Sequence, residues 1–594
     1  MRILFTIFLL LFCKIVTAQI TYYVSASAVG VNDGSSWTNA FNNLQMALST
    51  AQPGDQIWVM EGIYFPTSGN NRGASFFIKN ETMLYGSFSG IEASPAERDI
   101  DAHPTILDGD IGQIGDQSDN SFHVLNAENC GSSTLIDGFS IRHGNANGSG
   151  QEEDKGGGLL LFYSDPNIVE TLRVRNCTFS LNQGTYGGAL ALESSIDFVP
   201  SLQINNSTFT QNIARYGGGA IYTYGPVGQG QELSLLACHF ENNRTTTGDG
   251  GGISFRSASG NFLIKSCHFE RDSTRIGFVG GGFFFEVGEG NCILKIQNCH
   301  FNKCYAAEGG GLSILDPGAS EKTFDFQMDS TMFLENESNT PGGAIRIGTG
   351  SKTNMNVTWD NLVFQDNKNI SDAPGVDFLN GGLGKLNIFI KNTRFLNNRG
   401  GTLGGGGLRI ANANIIHTQA NVLLENCLFY RNTGAYSITT TAKGASHTRI
   451  INSTFVNNSR YVFNKNWSPN FDYVNSYNFM DINNCVIIDT TALKRTFYNN
   501  SFNPFTMNDY RVNHCLLSKP DCIFEGQSVC GDEMFYGIDP EFEDNTFFPK
   551  PCSPLVNAGN NFWTDTFNIA TDLLGSNRII FDTVDIGAYE VTQA

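Results

Sequence analysis

The chain has 594 residues, of which 37 are Lys or Arg and 57 are Asp or Glu, so its formal net charge is −20. This balance argues against nucleic acid as a partner, because nucleic acids are bound by clustered cationic side chains. Hydrophobic residues make up 40% of the chain and charged residues 16%, which is enough apolar material for a core and too little charge for a disordered polyelectrolyte. Glycine, at 65 residues, and phenylalanine, at 46, are both frequent, which indicates a repeated unit.

Residues 1–18 have the features of a secretory signal peptide. A charged start, Met1-Arg2, precedes an apolar run over residues 3–12, and VTA (16–18) supplies small residues before Gln19. The run is too short for a membrane span, and no later stretch reaches the ~18 to 20 apolar residues that a transmembrane helix requires. We therefore expect a mature protein that is secreted or on the cell surface, with the periplasm as an alternative.

Residues 19–135 are predicted to form an N-terminal cap and the first coils of a solenoid. A cap is needed because an open end would expose apolar core and unpaired strand edges. The segment QIWV (56–59) is typical of a strand, and residues 40–51 before it share one apolar helical face. We expect a capping helix there, with its face made of Phe41, Leu44, Ala47, Leu48 and Ala51.

From about residue 156 the sequence repeats a unit of about 31 residues, in which a glycine cluster and alternating apolar residues precede a small-x-Phe-x-x-Asn element. A period of this length is compatible with helical arrays and with β-solenoids. Glycine costs about 1 kcal/mol in a helix interior, so the glycine clusters and the alternation favour strands. The sequence therefore predicts an all-β solenoid with central repeats over residues 136–515. The first apolar residues in register are Leu159, Leu190, Ile221, Ile253, Phe283, Leu312, Ile345, Val376 and Leu408.

Stacking of coils about 4.8 Å apart turns equivalent residues into ladders. The first and third apolar positions of each unit are almost uniformly large and apolar, so they are predicted to face the core, whereas the chemically mixed middle position is expected to face out. The asparagines three residues after each repeat Phe are predicted to form a hydrogen-bonded ladder at a turn. They are Asn182, Asn212, Asn243, Asn336, Asn367, Asn398, Asn432 and Asn458.

Cysteines occupy one repeat position, two residues before the Phe, where other units carry Ser or Thr. We interpret them as core fillers: Cys177, Cys238, Cys267, Cys299, Cys427, Cys485 and Cys515. At most a few disulfides are expected, first of all in the group Cys515, Cys522, Cys530 and Cys552, with adjacent-coil pairs such as Cys238 and Cys267 as the alternative. His239, His268 and His300 each follow a ladder cysteine, but alternation turns them to the opposite face, so no metal site is expected.

Residues 22–64 and 83–112, with TLIDGFSIRHG (134–144), resemble the opening coils of secreted right-handed parallel β-helix proteins of the pectin lyase-like superfamily. The repeats also resemble those of chlamydial polymorphic outer membrane proteins, which are adhesins. The segments DPEF (539–542), CSPLVNAG (552–559), DLLGSNR (572–578) and VDIGAYE (584–590) are similar to the end of many bacterial surface β-helix proteins. The resemblance implies a right-handed parallel β-helix with a C-terminal capping segment over residues 516–594. It does not fix a function, because this architecture hosts lyases, hydrolases, adhesins and scaffolds.

Three functions are compatible with these residues, and the third, after the two that follow, is a purely structural envelope protein. The preferred hypothesis is a monomeric, non-catalytic carbohydrate-binding or adhesion protein without a cofactor, whose exposed aromatic side chains contact a polysaccharide or cell-surface glycan. The alternative is a polysaccharide lyase, or a hydrolase, acting on an anionic glycan; a lyase needs a base and a cation, with Ca²⁺ as a possible cofactor. The candidate binding residues are Tyr186, Tyr216, Tyr222 and Tyr224. The candidate catalytic residues are Glu193, Arg256, Glu286, Arg346, Asp377 and Arg409.

Overall fold

The computed structural model describes residues 19–150, 152–168, 172–228, 230–350, 352–370, 373–382, 384–401, 405–412, 419–434, 436–441, 445–458, 461–466, 477–488, 497–499, 507–519, 529–531, 533–543 and 546–592. Within these ranges the chain is almost entirely β, and its strands pair in parallel into three sheets along one stack of coils. The predicted all-β parallel β-helix is thereby confirmed. The predicted signal peptide lies outside the described residues.

A large sheet of two strips forms two sides of the stack. Strip one contains Phe76–Ile78, Leu125–Glu128, Leu159–Tyr163, Leu190–Ser194, Ile221–Tyr224, Leu312–Leu315, Ile345–Thr349, Val376–Asn380, Gly405–Asn412, Tyr436–Thr441, Tyr461–Asn466 and Phe497–Asn499. Strip two contains Thr21–Val24, Gln56–Met60, Met83–Phe88, Leu135–Asp137, Leu172–Arg175, Leu202–Asn205, Glu232–Leu236, Lys322–Asp329, Thr353–Asp360, Lys385–Lys391, Gln419–Glu425, Ala445–Ile451, Tyr477–Asn483, Met507–Asn513 and Val529–Cys530. The long strands Ile253–Lys265 and Phe283–Gln297 run through both strips.

A side sheet closes each coil, and a short sheet precedes strip one in the middle coils. The side sheet contains Gly62–Tyr64, Thr105–Asp108, Phe139–Arg142, Thr178–Ser180, Thr208–Thr210, His239–Glu241, His268–Glu270, His300–Asn302, Met332–Leu334, Val363–Gln365, Arg394–Leu396, Leu428–Tyr430, Thr454–Val456, Val486–Ile488, Leu516–Leu517 and Phe535–Tyr536. The short sheet contains Asn145–Ala146, Gln183–Tyr186, Ile213–Gly217, Arg244–Thr245, Ser273–Thr274, Tyr305–Ala306, Glu337–Ser338 and Lys368–Asn369. The helices are Leu44–Thr50, Asn561–Thr566 and the 3-10 turn Pro95–Glu97.

Equivalent residues of successive coils lie opposite each other, as the repeat alignment predicts. Leu159, for example, pairs with Leu190 in strip one, and both are buried. In the side sheet the repeat phenylalanines stack in the core, where the rings of Phe179 and Phe209 are 4.9 Å apart and inclined by only 3°. Such ring pairs each contribute about 0.5 to 1.5 kcal/mol beyond the area they bury, which explains why the chain is rich in phenylalanine.

The predicted asparagine ladder is present and buried. Asn182 Nδ2 donates to Asn212 Oδ1 at 3.1 Å, and Asn212 Nδ2 donates to Asn243 Oδ1 at 3.0 Å. The residue before the asparagine, Leu181, has a left-handed backbone conformation with φ of 58°. Asp272 occupies the next position of the ladder, where its carboxylate accepts a hydrogen bond from Asn243 Nδ2. Burial raises the pKa of the Asp272 carboxyl well above the usual range. The ladder resumes at Asn336, Asn367, Asn398, Asn432 and Asn458.

The middle position of strip one is largely buried, although we expected it to be exposed. It points away from the core, but the glycine turn that precedes each strand folds over it. Gly250 has φ of 73°, and a Cβ on it would lie 2.9 Å from the Cβ of Ser254, the middle residue of its own unit. The covered middle residues include Leu160, Ala191, Ser254, Phe284, Ser313 and Asp377.

A helix near the start of the described chain and a segment at its end pack on different parts of the coil stack. The helix, Leu44–Thr50, is shorter than the predicted range 40–51, and the Asn43 side chain accepts from Gln45 N at its start. It buries Leu44, Ala47 and Leu48 of the predicted face, while Phe41 and Ala51 are buried outside it. Residues 546–592, the C-terminal segment, lie along the outer face of the side sheet, where Ala588 N donates to Thr454 Oγ1 at 2.9 Å. Stacking of the side sheet continues to Tyr536. Neither described helix is long or apolar enough to cross a bilayer.

The ladder cysteines are free and buried, and their thiols donate to main-chain carbonyls, as at Cys177 and Arg175 O (3.2 Å). Cys530 forms a disulfide, whereas Cys515 and Cys552 of the same predicted group are free and Cys522 lies outside the described residues. The three histidines lie on the outer face of the side sheet, with the His268 and His300 rings 4.6 Å apart. Among the described residues, no group of three or more His, Cys, Asp or Glu is arranged to hold a metal ion.

Candidate functional site

Three of the four candidate tyrosines lie close to one candidate cation, where the short sheet meets strip one. Tyr186, Tyr216 and Tyr222 come from two adjacent coils, and Arg256 comes from the next. Together with Asp249 and Phe278 they line an open pocket of about 350 Å³, which we call the tyrosine pocket. This volume is in the range of small-molecule sites.

The tyrosines form one contiguous aromatic surface. The ring of Tyr186 is 4.9 Å from that of Tyr222 and 5.6 Å from that of Tyr216. Tyr216 is 37% exposed, and the guanidinium of Arg215 lies 4.8 Å from its ring, so a cation–π contact holds the ring in place. Tyr222 is buried at the base of the pocket, and burial, followed by the nearby Glu193, raises the pKa of its hydroxyl.

Arg256 is fixed between two carboxylates. Its Nη2 lies 2.6 Å from Asp249 Oδ2, and its Nη1 lies 3.2 Å from Glu286 Oε2. The guanidinium also sits 4.9 Å from the Phe284 ring. Because two anions share this one cation, the arginine has little free charge to offer an anionic ligand.

Glu193 borders the same surface and pairs with Lys155 Nζ at 3.3 Å. Burial raises the pKa of the Glu193 carboxyl, while the lysine charge opposes this shift. Glu193 and Glu286 stand at equivalent positions three coils apart, or roughly 14 Å at ~4.8 Å per coil. Carboxyl groups of glycosidases lie about 5 to 9.5 Å apart, so these two do not form a hydrolase pair.

The fourth tyrosine, Tyr224, belongs to an adjoining pocket. Its ring is 54% exposed, and the pocket of about 360 Å³ is also lined by Glu286, Glu289 and Pro317. Glu286 lines this adjoining pocket and pairs with Arg256, which lines the tyrosine pocket, so this ion pair links the two.

The remaining candidates form a separate group, the arginine cluster, about three coils further along strip one. The fully buried carboxylate of Asp377 contacts Arg346 Nη1 and lies 3.4 Å from Arg409 Nε. Arg346 also pairs with Glu308 at 3.2 Å. Both arginines are thus neutralised by the protein itself, and the structure does not bring this cluster together with the tyrosine pocket.

The candidate arginines and the acids around the tyrosine pocket are already paired with one another. The side chains of Arg256, Arg346 and Arg409 are all engaged with carboxylates, and a lyase base needs an available lone pair near its substrate. A Ca²⁺ site needs several free oxygen ligands, but Asp249 and Glu286 are held by Arg256. The residues described in this pocket therefore do not fit a calcium-dependent lyase.

Sequence reasoning missed Lys155, Asp249 and Glu308, which supply the partners of Glu193, Arg256 and Arg346. All three immediately precede the left-handed glycine that opens a glycine cluster, at Gly156, Gly250 and Gly309. The residue before each glycine cluster can be recognised in the sequence. That its side chain pairs with a residue of the following strand cannot be predicted from the repeat alignment, because the pairing depends on the turn folding over the strand.

No protein-family model matches the chain. No curated protein matches it in sequence. Among solved structures, the chain is similar to pectate lyase Pel9A, at 12% identity over 97% of this chain and 97% of that chain, with a TM-score of 0.24. It is also similar to a rhamnogalacturonan lyase, at 12% identity over 83% of this chain and 87% of that chain, with a TM-score of 0.19. At such TM-scores the similarity carries no argument about function, and the parallel β-helix rests on the strand register described above.

Proposed function

We propose that this protein is a monomeric, secreted or cell-surface β-helix protein that binds carbohydrate without catalysis, through the tyrosine pocket. The observation that carries the proposal is the contiguous surface of Tyr186, Tyr216 and Tyr222 beside charged groups that are already paired. Aromatic rings offer apolar faces to the C–H faces of sugars, and fixed polar groups at the rim accept and donate hydrogen bonds to hydroxyls.

The lyase alternative is less well supported. A uronate carboxylate entering the pocket would meet Asp249 in its wall, with Glu286 and Glu193 close by, in a chain of net charge −20. Among the described residues that line the pocket, the arginine is Arg256, which already pairs with two carboxylates, while Arg215 lies against the ring of Tyr216. The pocket is consequently better suited to a neutral sugar segment than to a polyuronate.

The test is retention of the purified protein on immobilised neutral and uronic-acid polysaccharides, with and without Ca²⁺, while absorbance of unsaturated products is followed. We expect retention without product. Tyr186→Ala and Tyr216→Ala should each weaken retention about tenfold or less, which corresponds to the ~0.5 to 1.5 kcal/mol of an aromatic contact. Phe77→Ala, which removes a 43% exposed aromatic side chain elsewhere on strip one, is the matched control and should change nothing.

Two results would count against the proposal. If Tyr186→Ala is retained as strongly as the parent protein, the tyrosine pocket is not the binding site. Product formation that Arg256→Ala abolishes would replace the binding role with lyase activity.

A further inference from the structure

A second concave site lies on strip two, on a different side of the coils from the tyrosine pocket. Its floor and walls are formed by Asn356, Asn387, Asn421, Phe389, Leu423 and Arg449, which we call the amide groove. The groove has a volume of about 280 Å³. These side chains alternate with buried core residues along their strands, so they all point outward.

One wall of the groove is an outward-facing amide ladder. Asn421 Nδ2 donates to Asn387 Oδ1 at 3.0 Å, Asn387 Nδ2 donates to Asn356 Oδ1 at 2.9 Å, and Asn356 Nδ2 donates to Asp325 Oδ1 at 2.8 Å. A primary amide has two N–H donors and two acceptor lone pairs. The ladder therefore uses one donor and one acceptor of Asn387 and leaves one of each for a ligand, a pattern repeated every ~4.8 Å along the stack.

The other wall is apolar and rigidly placed. Phe389 pairs with Leu423 across adjacent coils, and the next rung is Arg449. Arg449 Nε lies 3.9 Å from Asp481 Oδ2, an oxygen that also lies 2.7 Å from His447 Nε2, and the guanidinium lies 5.7 Å from the ring of Phe567 in the C-terminal segment. The cation at this end of the groove is therefore partly balanced by a carboxylate that it shares with His447.

We propose that the amide groove is a second ligand site and that its ligand is a neutral saccharide chain. Vicinal hydroxyls are donors and acceptors at once, which suits the free donor and acceptor of each ladder amide, and a sugar ring can stack on Phe389. The carboxylate of Asp325 at one end of the ladder and the net charge of −20 disfavour an anionic chain. An added peptide strand is disfavoured as well, because these strands are already paired on both sides and offer no free edge.

This inference does not depend on the tyrosine pocket, and calorimetric titration separates the two sites. The parent protein and its variants are titrated with cellohexaose, xylohexaose, mannohexaose and hexagalacturonate. At least one neutral hexasaccharide is expected to bind at a site whose affinity Phe389→Ala lowers about tenfold, whereas Phe389→Tyr retains it. Tyr186→Ala leaves this site unchanged. Leu263→Ala, which removes an outward apolar side chain from the same ladder outside the groove, also has no effect.

Asn387→Asp tests the amide wall independently of the aromatic ring. At neutral pH the carboxylate cannot donate to Asn356, so affinity is expected to fall, and it is expected to recover at a pH low enough to protonate the side chain. Binding that responds only to Tyr186→Ala would overturn the second site and leave the proposed function intact. Tighter binding of hexagalacturonate at the Phe389-sensitive site would overturn the neutral ligand class, and the absence of any Phe389-sensitive binding would overturn the site itself.

Discussion

The tyrosine pocket and the arginine cluster lie on the same strip, about three coils apart, and they balance charge in opposite ways. At the pocket one arginine, Arg256, forms ion pairs with two carboxylates, Asp249 and Glu286, whose side chains are each about one-fifth exposed. In the cluster one carboxylate, Asp377, is fully buried and serves two arginines. The pocket is open and slightly anionic, whereas the cluster is closed around its acid. Two neighbouring ladders of the same strip therefore form a ligand surface and a structural clamp, and the two differ in whether the acid is exposed.

The largest expected effect is a difference in the free energy of unfolding between variants of the two regions. Asp377→Asn removes the buried charge that holds two arginines, and leaving buried charges uncompensated costs about 3 to 5 kcal/mol. Asp249→Asn removes a partly exposed partner and should cost less than about 1 kcal/mol. Urea unfolding followed by circular dichroism at neutral pH measures both. Equal losses for the two variants would show that burial of the acid does not distinguish the regions.

A second prediction concerns a buried carboxylate whose nearby cation is paired with another acid. Glu425 is 4% exposed, and Lys391, the cation near it, lies 3.0 Å from Asp360. Burial raises the pKa of Glu425 to about 7 from an ordinary 4.5. Because the folded pKa is the higher one, the folded state binds the proton more tightly, so this stability is complete below pH 4.5 and is lost as pH rises through 7.

Glu425→Gln should remove that loss. Relative to the parent protein, the variant is expected to gain up to about 3 kcal/mol between pH 5 and pH 8, at 1.36 kcal/mol per pKa unit. Urea unfolding at both pH values measures the gain, and Asp377→Asn serves as a contrast because its carboxylate pairs with two arginines. A parent protein and a Glu425→Gln variant with parallel pH profiles would contradict the assignment.

The sequence predicted which residues stack in ladders, but it did not predict the contacts between each glycine turn and the strand that follows it. Leu159, Phe179 and Asn182 could be placed because a 31-residue period and strict alternation determine both coil register and inward or outward direction. Burial at Ser254 could not be predicted, since it depends on a glycine turn folding over the strand. The tyrosines were found as aromatics beside glycine clusters, but their convergence with Asp249 follows from that same turn.

The two arginine sites should also differ in binding. Arg256→Ala removes part of the pocket wall and frees two carboxylates, so retention on the bound glycan is expected to fall several-fold. Arg346→Ala alters a clamp outside the pocket and should leave retention unchanged in protein that remains folded. Parallel retention and circular dichroism measurements on both variants check this, and an equal fall in retention would place the arginine cluster in the binding surface.

The smallest expected effect is that of salt. Retention that depends on stacking against Tyr186 and Tyr216 and on hydrogen bonds to a neutral sugar should change less than about twofold between 0.05 and 0.5 M NaCl, although the Debye length shortens severalfold over this range. Charge attraction between Arg256 and an anionic glycan would instead weaken steeply over the same range. Salt titration of retention therefore discriminates between a neutral ligand seated on rings and a polyuronate held by a cation, and the pairing of Arg256 with Asp249 and Glu286 favours the neutral ligand.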